Sequence, residues 1–312
     1  MRPSLYPRAL GWDLPAREQI AFARESGFPS IDLAVRDLAD QGESATSLRR
    51  ALDASGLLGG GFPLPVDWRR FQPSLLEAEL ARLPRLADDA RTLGLTAAST
   101  WVLPAAGPDA LALACAARPP YAPPRELDHD GLLRLHFALL TPIVRILSAR
   151  GLRLALEVIG VESFRANWGT PFIHRLADPR LRWLIDALND VVDSPPGGAV
   201  GLLCDTFHLH AAGETVDHAL AFGRDAIAWV HVADLPAGFQ GSRPNIEDDD
   251  RGLPGESGLV PIRDILGRLA AAGYDGPVSP EPLRGCRALH GLGPSEQAHR
   301  LRAALAAVWP RT

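Results

Sequence analysis

Short runs of consecutive apolar residues alternate along this 312-residue chain with longer segments whose apolar side chains recur every three or four positions. The first pattern belongs to strands buried on both faces, the second to helices that bury one stripe. It predicts helices over residues 16–26, 45–55, 73–93, 130–150, 179–193, 214–223, 260–272 and 294–308. It predicts strands over Leu5–Gly11, Ile31–Val35, Leu57–Leu64, Leu95–Leu103, Leu152–Ile159, Ala199–Asp205, Ile227–Val232 and Pro277–Glu281. Gly27, Gly56, Gly94, Gly151 and Gly273 each close a helical segment shortly before a strand begins. Helix, terminal glycine and strand in that order are the connections of a parallel sheet. Eight such units predict a (β/α)8 TIM barrel occupying residues 1–312 as one domain, with an open doubly wound sheet as the alternative. Two segments, 104–124 and 235–258, follow strands and exceed the usual connection, as lids, binding loops and oligomer contacts do.

In a barrel the chemistry sits at the C-terminal ends of the strands. Four successive predicted strands carry a metal-binding type of residue there: Glu157 in LALEVIG, Asp205 in GLLCDTFH, His231 in AWVHVAD and Glu281 in PVSPEP. Taken singly, each acid reads equally as a helix cap or ion-pair partner, and His231 as a core residue. Taken together, three carboxylates and an imidazole at one mouth repel and desolvate one another unless a cation joins them. An oxygen-rich set with one nitrogen suits one divalent ion, Mn²⁺, Mg²⁺ or Co²⁺, and Zn²⁺ also accepts it. Glu162, just beyond the Glu157 strand, is positioned either to bond a substrate hydroxyl or to start a helix. Trp101 and Trp168 offer an apolar wall for the carbon face of a sugar, or simply core packing.

The ordered segments LALEVIG, LLCDTFHLH, VHVADLPAG, DDDRGLPGESG and YDGPVSPEP, with a fainter GFPSIDL near the N-terminus, resemble the xylose isomerase-like barrel superfamily of sugar phosphate isomerases and epimerases. That resemblance implies one divalent metal on Glu157, Asp205, His231 and Glu281, with Glu157 and Glu281 as the acid–base pair. It implies enediolate chemistry on a keto-sugar or cyclitol, giving isomerisation or epimerisation, or dehydration as in the inosose dehydratases. It also brings His208 near substrate oxygens and Arg251 into the site; their structural readings are a histidine on the following turn and an arginine tethering the run EDDD. Endonuclease IV shares the fold but needs further histidines, and none occurs in residues 57–64 or 95–103. A non-catalytic sugar-binding barrel is the remaining class. Nothing in the sequence marks a phosphate-binding motif.

Composition narrows these choices. All 32 basic residues are arginine, which excludes Schiff-base aldolases and Walker-type phosphate loops, since both need a lysine amine. The net charge of −5, without a basic block, disfavours nucleic acid. Cys115, Cys204 and Cys286 show no zinc or disulfide spacing, and so odd and low a count suits a reducing compartment. The sequence MRPSLYPRALGWDLP lacks a signal-peptide core, and no run of 18 apolar residues occurs. The expectation is a cytoplasmic enzyme on a small sugar or cyclitol, with no nucleic-acid or membrane partner and with homo-oligomerisation left open.

Overall fold

The computed structural model describes residues 1–70, 73–106, 128–167, 170–193 and 197–310. Its strands are β1 (Arg2–Leu5), β2 (Ser30–Ile31), β3 (Leu58–Gly59), β4 (Gly61–Pro63), β5 (Ala97–Val102), β6 (Ala105–Ala106), β7 (Arg153–Val158), β8 (Thr170–Pro171), β9 (Val200–Asp205), β10 (Ile227–Val232) and β11 (Pro277–Pro280). Its helices are α1 (Ala16–Glu25), α2 (Val35–Asp40), α3 (Ala45–Ser55), α4 (Pro73–Thr92), α5 (His129–Ser148), α6 (Glu162–Asn167), α7 (Pro179–Asn189), α8 (Thr206–Ala211), α9 (Val216–Leu220), α10 (Ile262–Ala271) and α11 (Pro294–Val308).

Nine strands form one parallel sheet in the order β3-β2-β1-β11-β10-β9-β7-β5-β4. The two outer members are halves of a single stave interrupted at Gly60. The Gly60 N–H donates to the Ile31 carbonyl at 2.9 Å, and its own carbonyl accepts from the Thr96 N–H at 2.9 Å. Counting β3 and β4 as one, eight staves close a (β/α)8 barrel. Successive side chains of a stave alternate between the helix layer and the barrel interior. Leu154, Leu202, Val230 and Val278 join the large outer core, while Tyr6, Ala97, Ala155, Leu203 and Trp229 fill the interior. Trp229 reaches across the barrel, and it can do so because Gly61 faces it: a Cβ at Gly61 would lie 2.4 Å from the indole ring.

Several boundaries differ from those the pattern predicts. The first strand is Arg2–Leu5 rather than Leu5–Gly11, because Pro7 opens a turn whose carbonyl accepts from the Leu10 and Trp12 N–H groups. The second ends at Ile31, and Val35 already begins α2. Helix 214–223 shrinks to α9, and α8 follows β9 without a connecting residue. A two-residue antiparallel ladder, β6 with β8, was not legible either. Segment 104–124 falls mostly, and Trp168 and Cys115 wholly, outside the described residues. Cys204 and Cys286 are free thiols. Although no unbroken run of 18 apolar residues exists, α5 is long and apolar enough to cross a membrane by length and composition, with half of its apolar window buried. It packs against α4, α7 and β7 as one helix of the barrel's outer ring.

Candidate metal centre

Glu157, Asp205, His231 and Glu281 each offer a ligand atom, and the four atoms lie within 4.8 Å of one another. Their registers form a staircase: Glu157 pairs with Leu203, Asp205 pairs with His231, and His231 pairs with Ser279, two residues short of Glu281. Tilted barrel strands turn such a staircase into one ring of side chains at a common height. Glu281 lies just past β11, and its N–H still bonds the Val232 carbonyl at 2.9 Å. Asp205 also caps α8, its Oδ1 accepting from the N–H groups of Phe207 (2.7 Å) and His208 (3.3 Å).

Among the described residues, Arg251 is the one guanidinium hydrogen-bonded to these groups. It is 3% exposed and donates to Asp205 Oδ2 at 2.8 Å, Glu281 Oε2 at 3.2 Å and Asp248 Oδ1 at 2.8 Å. Its Nη2 lies 3.0 Å from His208 Nε2, and its plane sits 4.6 Å from the Phe207 ring centroid. Both readings offered by the sequence therefore coexist, since Arg251 tethers the acidic run through Asp248 and reaches the ligand cluster. The loop bearing it is clamped by Asp234, wholly buried, which accepts from the N–H groups of Leu235, Gly258 and Val260 and from Ser257 Oγ at 2.7–3.0 Å.

One guanidinium does not neutralise four carboxylates, and the imbalance shifts the protonation of the group. Burial, then the Glu281 and Asp205 charges, push the Glu157 carboxyl well above its ordinary range. Burial also opposes charge on Asp205, but Arg251 and the two histidines outweigh it and hold that carboxyl low. His231 is raised because the Glu281 charge overcomes burial, whereas burial with Arg251 lowers His208. Three buried atoms in the cluster, Glu157 Oε1, His231 Nδ1 and His231 Nε2, have no hydrogen-bond partner among the described residues. His231 Nδ1 is 3.1 Å from Glu281 Oε2 and 4.0 Å from Glu157 Oε1. Orphaned lone pairs beside excess negative charge fit a divalent cation.

Of the other sequence candidates, His208 joins the cluster, its Nδ1 also buried without a partner. Trp101 pairs in register with Glu157 and is flanked by Phe164, at 5.8 Å between centroids, and by the Arg69 guanidinium at 4.8 Å. Glu162 is exposed in the first turn of α6. Sequence reasoning tied Arg251 to the run EDDD without singling out Asp248, whose spacing of three from Arg251 was the available signal. It passed over Asp234 and Asp32, both inside quoted motifs.

The profile of a family described as the xylose isomerase-like TIM barrel matches residues 20–306. A protein named inosose isomerase from Halalkalibacterium halodurans is 28% identical over 149 residues, 46% of this chain and 44% of that one. The chain spans about half the length of the curated relatives it matches. A xylose isomerase domain protein from Alicyclobacillus acidocaldarius superposes with a TM-score of 0.76 at 22% identity, covering 99% and 98% of the two chains. The IOLI protein with a bound zinc atom gives 0.73 at 15% identity, over 99% and 98%. At these identities the structural likeness establishes the fold.

Proposed function

The chain belongs to the xylose isomerase-like TIM barrel family, and from that premise we propose that it is a divalent-metal-dependent isomerase or epimerase of a keto-sugar or cyclitol. The observation that carries this reading is the convergence of Glu157, Asp205, His231 and Glu281, with Glu157 Oε1 and both His231 nitrogens buried without a hydrogen-bond partner among the described residues. The relatives named inosose isomerase support the polyol class of substrate. A divalent ion held there supplies Lewis acidity to an adjacent carbonyl and hydroxyl, making the intervening C–H acidic.

The protein's own groups then account for the proton. Glu157 and Glu281 come from β7 and the end of β11, with β9 and β10 between them, so they flank a substrate from two sides. One carboxylate removes the C–H proton, giving the enediolate, and the other returns a proton. Return to the opposite face of the same carbon is epimerisation; return to its neighbour, with the hydroxyl proton passing to the former carbonyl oxygen, is isomerisation. Loss of a β-hydroxyl, the lyase outcome, uses the same geometry. Asp205 and His231, between the two glutamates, hold the ion. Arg251 holds the Glu281 carboxylate by a hydrogen bond at 3.2 Å, and His208 and Trp101 contribute hydroxyl and apolar contacts to the substrate.

Proton exchange tests this directly. The metal-loaded protein, incubated in deuterated water with a panel of ketoses and inososes, should place deuterium next to a carbonyl. Glu157→Gln and Glu281→Gln should each slow that exchange by roughly 10²–10⁴-fold while some metal is retained, as loss of a general base does. Full exchange in both variants would rule out the two-carboxylate mechanism.

A further inference from the structure

A fifth carboxylate lies directly beneath the ligand ring. Asp32, 1% exposed, stands just past β2 inside the barrel. Its Oδ1 accepts from Ser4 Oγ at 2.8 Å and the Gly61 N–H at 2.7 Å, and its Oδ2 accepts from Ser279 Oγ at 2.6 Å. Ser279 Oγ in turn accepts from Trp229 Nε1 at 2.8 Å. The direction of this relay is fixed, because an indole N–H only donates and the serine therefore gives its single proton to Asp32. Space for the carboxylate exists because the neighbouring stave is bare: a Cβ at Gly60 would lie 2.0 Å from Asp32 Oδ1.

The relay ends on β10 and β11, two of the four strands that carry candidate ligands. Ser279 is two residues before Glu281, and Trp229 is two before His231, so both side chains point into the barrel one layer below those ligands. Ser279 is also the register partner of His231. The Trp229 ring meets the His231 ring edge-on, at 4.6 Å between centroids and 82° between planes, and the Tyr6 ring lies against the imidazole at 5.3 Å. His231 Nδ1 faces Glu281 Oε2 at 3.1 Å, whereas Nε2 is buried with no hydrogen-bond partner among the described residues, so on that side ring contacts take over the orientation of the imidazole.

We propose that Asp32, acting through Ser279 and Trp229, is a positioning residue that fixes the His231 imidazole for metal binding. Asp32 bonds none of the four ligands; it anchors the serine that anchors the indole against which the imidazole rests. Ligand histidines are usually oriented by a hydrogen bond to their second nitrogen, and loss of such an orienting partner typically costs 10–100-fold in metal affinity. Here an aromatic edge tied to a buried carboxylate takes that part.

The inference rests on the metal reading above, and the experiment separates the two. Co²⁺ is titrated into the metal-depleted full-length protein, and its affinity and visible d–d absorption are recorded for wild type, Ser279→Ala and Asp32→Asn, with melting temperatures alongside. Ser279→Ala removes the relay with little change in volume, so it remains decisive if Asp32→Asn fails to fold. Both variants should bind Co²⁺ roughly ten-fold or more weakly, with a shifted d–d spectrum reporting altered ligand geometry. A purely structural serine would lower the melting temperature and leave the spectrum unchanged. A folded Ser279→Ala protein with wild-type affinity and spectrum overturns the positioning role alone. A wild-type protein that takes up no Co²⁺ overturns the metal reading and this inference with it.

Discussion

At the scale of single residues, the site is a set of charges that the fold tolerates only in part. Burial and its carboxylate neighbours hold the Glu157 proton on well above the ordinary range. A group raised in the folded state stabilises fully below its unfolded pKa, and that contribution is lost as pH climbs through the folded value. His231, also raised, acts in the same direction above its ordinary value of 6.5. Asp32, pushed up to about 6 chiefly by burial, has lost its contribution by neutral pH. Asp205 is held low, so its contribution disappears only in acid, and His208, lowered by burial, favours folding as pH rises to 6.5 and little beyond. As pH rises above 6.5 and the raised groups lose their protons, the metal-free protein should therefore melt progressively lower. Glu157→Gln, or a saturating divalent cation, should flatten the slope. Scanning calorimetry over that rise checks this, and a melting temperature that climbs with pH in the metal-free protein contradicts it.

At the scale of elements, the loop between β10 and α10 depends on one buried acid. Asp234 accepts three backbone N–H groups and one hydroxyl, and an isolated bridge pairs it with Gly252, next to Arg251. Asp234→Ala should leave buried donors unpaired at about 1–3 kcal/mol each for those that find no water. It should also speed amide hydrogen exchange at Gly258 and Val260 while leaving β7 protected. Equal exchange at those amides in both proteins would show that the clamp does not hold the loop. Such clamps explain what could be read from the sequence and what could not. β10 (Ile227–Val232) and α11 (Pro294–Val308) match their expected spans because continuous apolar runs and a proline-started amphipathic segment are local signals. The short helices α2 and α8 escaped because each follows a strand within a few residues. In α8 the cap is Asp205 itself, a residue already assigned to the metal. The convergence of the four candidate donors was legible because one donor per strand repeats four times; the partners of Asp32 and Asp234 were not, because they lie far along the chain or within an irregular loop, and of Asp248 only its run's tether to Arg251 was.

At the scale of the whole molecule, barrel closure and site assembly are one event. The ring closes through Gly60, and the glycine stave β3–β4 leaves the volume that Trp229 and Asp32 occupy beneath the ligands. Strands far apart in sequence must therefore be in register before the four donors meet. Outside that ring Glu157, Asp205 and Glu281 would be ordinary exposed acids. The central claim is that these four side chains form one divalent-cation site, and isothermal titration of the metal-depleted protein with Mn²⁺ or Co²⁺ tests it most directly. One ion per chain should bind to wild type, with stoichiometric uptake abolished in both Asp205→Asn and His231→Ala. Absence of uptake by wild type, or unchanged uptake by both variants, would contradict the account.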